Sequence, residues 1–168
     1  MARLRRIERA RRGRYRLRIP AHEREILRSL PGQLRELLDT DDPSLRRLFP
    51  PAYRDDPDRQ AEYESLVSPE LTRERLDALA VVERTVDATH LTEEELRAWL
   101  GAINDLRLVL GTRLDVTEDL YETGFPEDDP RSPAFAVFAY LGWLEEEIVE
   151  ALATGLPEQG EGRPAKGR

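Results

Sequence analysis

The stretch Ala134 to Leu144 holds no charged side chain, in a chain where 36% of residues are charged. Wound at about 3.6 residues per turn, Phe135, Val137, Phe138, Tyr140, Leu141, Trp143 and Leu144 go most of the way round a helix. Such a helix needs cover on several sides. Ser132-Pro133 offers a cap followed by proline in the first turn, and Gly155 suits a left-handed terminator, which places the helix over residues 133–153. The chain is therefore expected to be mainly α: a single-domain bundle of five or six helices built around this one. The alternative is that the same apolar surface forms a homodimer interface. A length of 168 residues suits one domain, here residues 1–155, followed by a disordered Gly-, Pro- and Glu-rich tail over 156–168.

Other segments fill in the bundle. After Pro20, Ile26, Leu27, Leu30, Leu34, Leu37 and Leu38 share one helix face, with Pro31-Gly32 predicting a kink or break. Residues 39–59, dense in Asp and Pro, read as a long loop around a short helical turn at Leu45–Phe49. Glu62 to Val67 reads as helical, and Ser68-Pro69 is expected to open a separate helix to about Asp87. Thr92 and Glu95 form a capping box for a helix over 92–112, with Leu91 as a staple. Thr117 resembles a further cap, giving a short helix to Tyr121.

The charge is unevenly distributed. Nine arginines against the single Glu8 make residues 1–18 a +8 arm, leaving −16 on the rest of a chain with net charge −8. Tyr15, Leu17 and Ile19 alternate with Arg14, Arg16 and Arg18 after Gly13, which predicts a β-hairpin over 4–19. A helix over 3–12 competes for its first half. Arg11, Arg12, Arg14, Arg16 and Arg18 form the core of this basic arm. It can dock on the acidic body, a second subunit or another protein, it can track phosphates, or it can stand in solvent.

In the 92–112 helix, Leu96, Leu100, Ile103, Leu110 and Leu114 cluster on one face with Arg107 among them. A buried arginine needs a partner. The readings are an ion pair with Asp115 or an acidic residue of another helix, an anion-binding arginine in a pocket, or a helix face wrapping into solvent. Asn104 lies at the edge of this face, Asp105 is expected to point into solvent, and Arg113 and Asp115 fall at the helix end, where capping and dipole effects explain them.

Positive evidence for chemistry is sparse. With no cysteine, disulfide scaffolds, thiol nucleophiles, sulfur-bound zinc and iron–sulfur centres are excluded. The two histidines, His22 and His90, lack the paired Glu-x-x-His pattern of a di-metal site. Glu145, Glu146, Glu147 and Glu150 read as a solvated helix face. No nucleophile elbow, phosphate loop or dinucleotide fingerprint occurs, and no metal or cofactor is expected. No apolar run approaches the roughly 20 residues that span a bilayer, and the arginine-rich start lacks the apolar stretch of a signal peptide. The expected location is the cytoplasm, without membrane contact.

The segments Leu45-Arg-Arg-Leu-Phe-Pro-Pro-Ala-Tyr53, Ala98-Trp-Leu-Gly-Ala-Ile-Asn-Asp-Leu-Arg-Leu-Val-Leu-Gly-Thr-Arg-Leu-Asp115 and Tyr140-Leu-Gly-Trp-Leu144 resemble an uncharacterised all-helical family of high-GC Gram-positive bacteria, catalogued as a domain of unknown function. The resemblance spans about residues 13–153. It implies no activity; it implies only that members are often encoded beside the adaptor of the Clp protease and that some are labelled transcriptional regulators.

The expected function is a non-catalytic cytoplasmic interaction or regulatory protein with a protein partner. The second reading is a nucleic-acid-binding regulator using the arginine hairpin. The third is an enzyme that holds a small anionic ligand at Arg107.

Overall fold

The computed structural model describes residues 4–155; the expected tail over 156–168 lies outside them. Among the described residues, five α-helices, two 3-10 turns and one small sheet make up a mainly α protein.

The arm folds as alternation predicts. Strand β1, Ile7–Arg9, pairs antiparallel with β2, Arg14–Leu17, matching Ile7 with Leu17 and Arg9 with Tyr15. A 3-10 turn at Arg11–Gly13 joins them, with Arg12 at φ 60° and Gly13 at φ 66°. The helical reading of residues 3–12 is thereby replaced by strand and turn. Ile7, Tyr15, Leu17 and Ile19 turn inward and are buried.

The hairpin gains a third strand that sequence reading missed. β3, His90–Thr92, pairs with β2, so β2 is the central strand. Leu91, expected as a staple, is fully buried in this sheet. Thr92 then does two jobs, ending β3 and capping the next helix. Its hydroxyl accepts from Glu95 N at 3.1 Å while the Glu95 carboxylate accepts from Thr92 N at 2.9 Å. That closes a capping box.

Helix α1, Ala21–Leu38, runs unbroken through Pro31, which is buried on the same face as Leu27 and Leu34. Helix α2, Pro57–Thr85, likewise passes through Pro69 instead of restarting there. Its cap is Asp56, accepting from Arg59 N at 3.1 Å, with Pro57 in the first turn. Each proline removes one helical hydrogen bond. Around Pro69 the helix is exposed, so water can serve the freed carbonyl. The expected helical turn at Leu45–Phe49 appears as the 3-10 turn Pro43–Arg47.

Helix α3, Glu93–Arg113, is the hub. It packs on α1, on α2, on the sheet and on the last helix, α5, Ser132–Ala153. The expectation that the 133–153 helix sits at the centre is corrected here. α5 buries Phe138, Leu141, Gly142, Leu144, Ile148 and Ala151, while Phe135, Val137, Tyr140 and Trp143 stay half-buried because no element covers that side completely. Ser132 makes no side-chain cap, since it is itself the first helical residue and the cap position falls to Arg131, whose N–H donates to Asp129. Gly155 is not left-handed; only Gly13 and Gly124 among the described glycines have positive φ. The short helix α4, Glu118–Thr123, is capped by Thr117 as expected.

Close approach of α3 and α5 depends on Gly111. A Cβ added there would lie 2.9 Å from Phe138 Cε2. Gly111→Ala is expected to lower unfolding free energy by about 1–3 kcal/mol through overpacking, despite the roughly 1 kcal/mol that alanine gains in helix propensity. Urea denaturation measures it, and a stabilised variant would show that the Phe138 ring simply moves aside.

Candidate functional site

Half of the arginine arm is spent inside the fold. Arg6 forks onto Glu23 of α1, with Nη2–Oε1 at 2.9 Å and Nε–Oε2 at 3.1 Å, and the Tyr140 hydroxyl of α5 donates to the same carboxylate at 3.0 Å. The Arg6 guanidinium also lies 5.6 Å from the Trp143 ring centroid. Burial pushes the Glu23 carboxyl upward, but hydrogen bonds from Arg6 and Tyr140, together with the Arg6 charge, outweigh it and hold the pKa below the usual range. Burial and the Glu23 charge raise that of Tyr140. Glu23 is therefore ionised and Tyr140 a neutral donor at neutral pH.

Of the α5 glutamates expected as a solvated face, Glu146 is exposed as expected, whereas Glu145, Glu147 and Glu150 are acceptors. Glu147 takes the backbone N–H groups of Arg6 at 2.6 Å and Ile7 at 3.2 Å, and Glu150 pairs with Arg5 at 2.8 Å. Arg9 donates to Thr154 O at 2.9 Å, and Arg18 pairs with Glu8 at 3.3 Å. Docking on α1 and α5 thus accounts for Arg5, Arg6 and Arg9, while Arg18 pairs with Glu8 within the arm itself.

Four of the arm's described arginines remain. Arg11, Arg12, Arg14 and Arg16 are exposed, and their side chains form no ion pair or hydrogen bond among the described residues. Arg14 and Arg16 stand on the outer face of the central strand, with Arg16 between Glu8 on β1 and His90 on β3. Arg11, Arg14, Arg16 and His90 line one open depression with Glu8, Arg9 and Ala10. Arg12 holds a left-handed backbone, a conformation that costs an L residue about 1–2 kcal/mol and that glycine adopts freely.

The polar group expected around Arg107 is not one site. The buried arc of α3 runs through Trp99, Ala102, Ile103, Leu106 and Val109, which puts Arg107 at its edge and one-third exposed. Its partner is Glu145 of α5, at 3.4 Å, rather than Asp115; the guanidinium also lies 5.2 Å from the Phe138 ring centroid and packs on Gly142. Arg113 turns to the Pro43–Arg47 turn, 3.4 Å from both Asp42 and Ser44. Asp115 is exposed with φ 49° and ends α3 as a left-handed residue. Asn104 is half-buried beside Arg75 and Asp105 in a groove between α2 and α3.

Asp105 is a second correction. Instead of pointing into solvent it is buried, 5% exposed, and pairs with Arg75 of α2. Arg75 also donates to Leu48 O at 2.8 Å and lies 5.2 Å from the Phe49 ring centroid. Burial raises the Asp105 pKa, and the hydrogen bond and charge of Arg75 only partly offset it. An α3 register centred on Trp99 and Leu106 would have placed Asp105 inside, because residue 105 lies three after Ala102 and four before Val109.

Among the described residues, no group of three or more His, Asp or Glu side chains is placed to hold a metal, and no helix is long and apolar enough to cross a membrane.

These features define a mainly helical domain whose N-terminal sheet is clamped to its helices by arginine–glutamate pairs and carries a free arginine face. The chain belongs to the family described as Domain of unknown function (DUF2017), which matches residues 3–152. It is similar to the protein named oxidative stress regulator AosR of Mycobacterium tuberculosis, at 30% identity covering 83% of this chain and 82% of the relative. It is also similar to the putative oxidative stress regulator AosR of Mycobacterium leprae, at 30% identity covering 88% and 86%. No solved structure matches the chain significantly.

Proposed function

We propose that this chain is a non-catalytic regulatory protein of the cytoplasm that acts by binding another protein. The observation that carries this reading is similarity, over more than four-fifths of both chains, to proteins named oxidative stress regulators. The sequence adds a chemical condition. It has no cysteine, and its single methionine is Met1, so an oxidant response in this chain cannot be a thiol–disulfide switch within it. A partner that carries the oxidative signal meets that condition.

The surface best suited to a protein partner is the aromatic end formed by α4, the loop after it and the start of α5. Tyr121 packs edge-on to Phe138 at 6.1 Å, Phe125 edge-on to Phe135 at 5.4 Å, and Tyr121 is 46% exposed. Partly exposed aromatic groups of this kind are the usual anchors of protein interfaces. A second copy of the chain would satisfy the same surface.

Catalysis on an anion at Arg107 finds little support. The depression beside Arg107 is also lined by Glu145, Glu146 and Glu150, which repel an anionic ligand.

Affinity purification of the full chain from its native cytoplasm, with and without nuclease, tests the reading against a Tyr121→Ser/Phe125→Ser variant that circular dichroism shows to be folded. A stoichiometric protein retained by the wild type and lost by the variant is expected. Retention of nothing but nuclease-sensitive material would overturn it.

A further inference from the structure

We infer that the free arginine face of the sheet is a docking site for the phosphate backbone of duplex nucleic acid, bound without regard to sequence. This inference is independent of the protein-binding surface at the aromatic end and goes beyond it. The described arginines of the arm divide into two sets. Arg5, Arg6, Arg9 and Arg18 are each held by an oxygen of the chain, whereas Arg11, Arg12, Arg14 and Arg16 have none. Four unpaired guanidinium groups within six residues, on one turn and the strand that follows it, concentrate positive charge on a molecule whose net charge is −8.

Geometry keeps these groups together. Arg14 and Arg16 are two residues apart on β2, about 6.7 Å at the usual rise of a strand, and so share its outer face. β1 and β3 support that strand on both sides. Arg12 occupies a backbone conformation where glycine is the ordinary choice, which places a fourth cation at the tip of the turn. His90 adds a polar ring opposite Arg16.

The choice of a phosphate backbone over an acidic protein rests on what the face lacks. Its lining residues are Glu8, Arg9, Ala10, Arg11, Arg14, Arg16 and His90, and Tyr15, the aromatic residue of the strand, is turned inward with 2% exposure. A protein interface draws its affinity from desolvated apolar and aromatic anchors, whereas phosphate binding by counterion release needs only the cations. The absence of an exposed aromatic platform on this face likewise favours a duplex backbone over stacked single-stranded bases. The acidic helices repel the same polyanion, so contact is confined to the sheet.

Fluorescence anisotropy of the full chain with a short labelled duplex of mixed sequence, across a salt series, tests the site. Four phosphate contacts give a slope of log K against log salt of about −3 to −4, at about 0.9 per contact. Arg11→Gln/Arg14→Gln/Arg16→Gln is expected to reduce the slope to about −1 and to weaken low-salt binding by more than about tenfold. Arg46→Gln/Arg47→Gln/Arg73→Gln removes the same charge from exposed arginines that are also unpaired but lie elsewhere, and it should bind like the wild type. A salt-independent or absent wild-type signal overturns the site, a result that needs no variant to fold. Equal losses in the two triple variants overturn it too. So does tighter binding of a polyglutamate peptide than of the duplex, which would assign the face to an acidic protein.

Discussion

Trp99→Ala is expected to remove about 3–5 kcal/mol of unfolding free energy, the largest loss from truncating any single apolar side chain here. Trp99 is fully buried on the inner face of α3, in the cluster that joins α2, the sheet and α5. Its indole N–H donates to the Thr85 hydroxyl at 2.8 Å, and that hydroxyl in turn donates to Val81 O at 2.6 Å. The tryptophan therefore links α3 to the last turn of α2 by packing and by a directed hydrogen bond. Trp99→Phe keeps much of the ring burial and gives up the donor, so it should cost only about 1–2 kcal/mol. Urea unfolding of the two variants separates the contributions. A loss below about 1 kcal/mol for the alanine variant would show that the α2–α3 junction does not depend on this side chain.

Arg75→Met is expected to cost about 3–5 kcal/mol at neutral pH, because it strands the buried Asp105 carboxylate. The pH dependence carries the distinctive signature. Burial already raises the folded-state pKa of Asp105 in the presence of Arg75, and removing the guanidinium raises it further. For an acid whose pKa is raised on folding, the stability cost of ionisation is present above the folded pKa and vanishes below the unfolded one. The penalty of Arg75→Met should therefore shrink as the solution is acidified toward the usual aspartate range. Adding Asp105→Leu should recover most of the loss at neutral pH, since an apolar pair can replace a buried ion pair at little cost. Chemical denaturation of the single and double variants across a pH series measures both effects. A pH-independent penalty would mean that Asp105 is not desolvated.

Local signals proved readable where the chemistry is local. The Thr92–Glu95 box and the Thr117 cap involve groups three residues apart, and both form as the sequence suggests. Alternation of Tyr15, Leu17 and Ile19 with arginines correctly assigns an inward and an outward face to β2. The prolines misled, because a break at Pro31 or Pro69 is only one answer to a missing N–H. Burial of Pro31 in the core and hydration around Pro69 are the other answers. β3 escaped notice because three residues are too few to show a period of two.

The candidate site shows the same division. Of the partners open to Arg107, Asp115 or an acidic residue of another helix, the fold supplies the second in Glu145, yet the central place of Arg107 on the apolar face was an error of helix register. Leu100 and Leu110 are half-buried, while Trp99, Leu106 and Val109 carry the core. Rotating the buried arc moves Arg107 to the rim and draws Asp105 inside. Only the packing of α2 and α5 against α3 selects between those registers.

By itself the sequence determined the helical class, the caps, the hairpin and the segregation of positive charge at the start from negative charge elsewhere, since each follows from residues close together in the chain. Tertiary structure alone decided that α3 rather than α5 is the hub, that Glu23, Glu147 and Glu150 hold the arm, and that four of its described arginines stay free. Those outcomes turn on which carboxylates meet the arm across the chain, 145 residues from Arg5 to Glu150, 141 from the Arg6 N–H to Glu147 and 17 from the Arg6 guanidinium to Glu23. Ion pairing has no sequence periodicity, so the arrangement follows from the packed helices and not from local pattern.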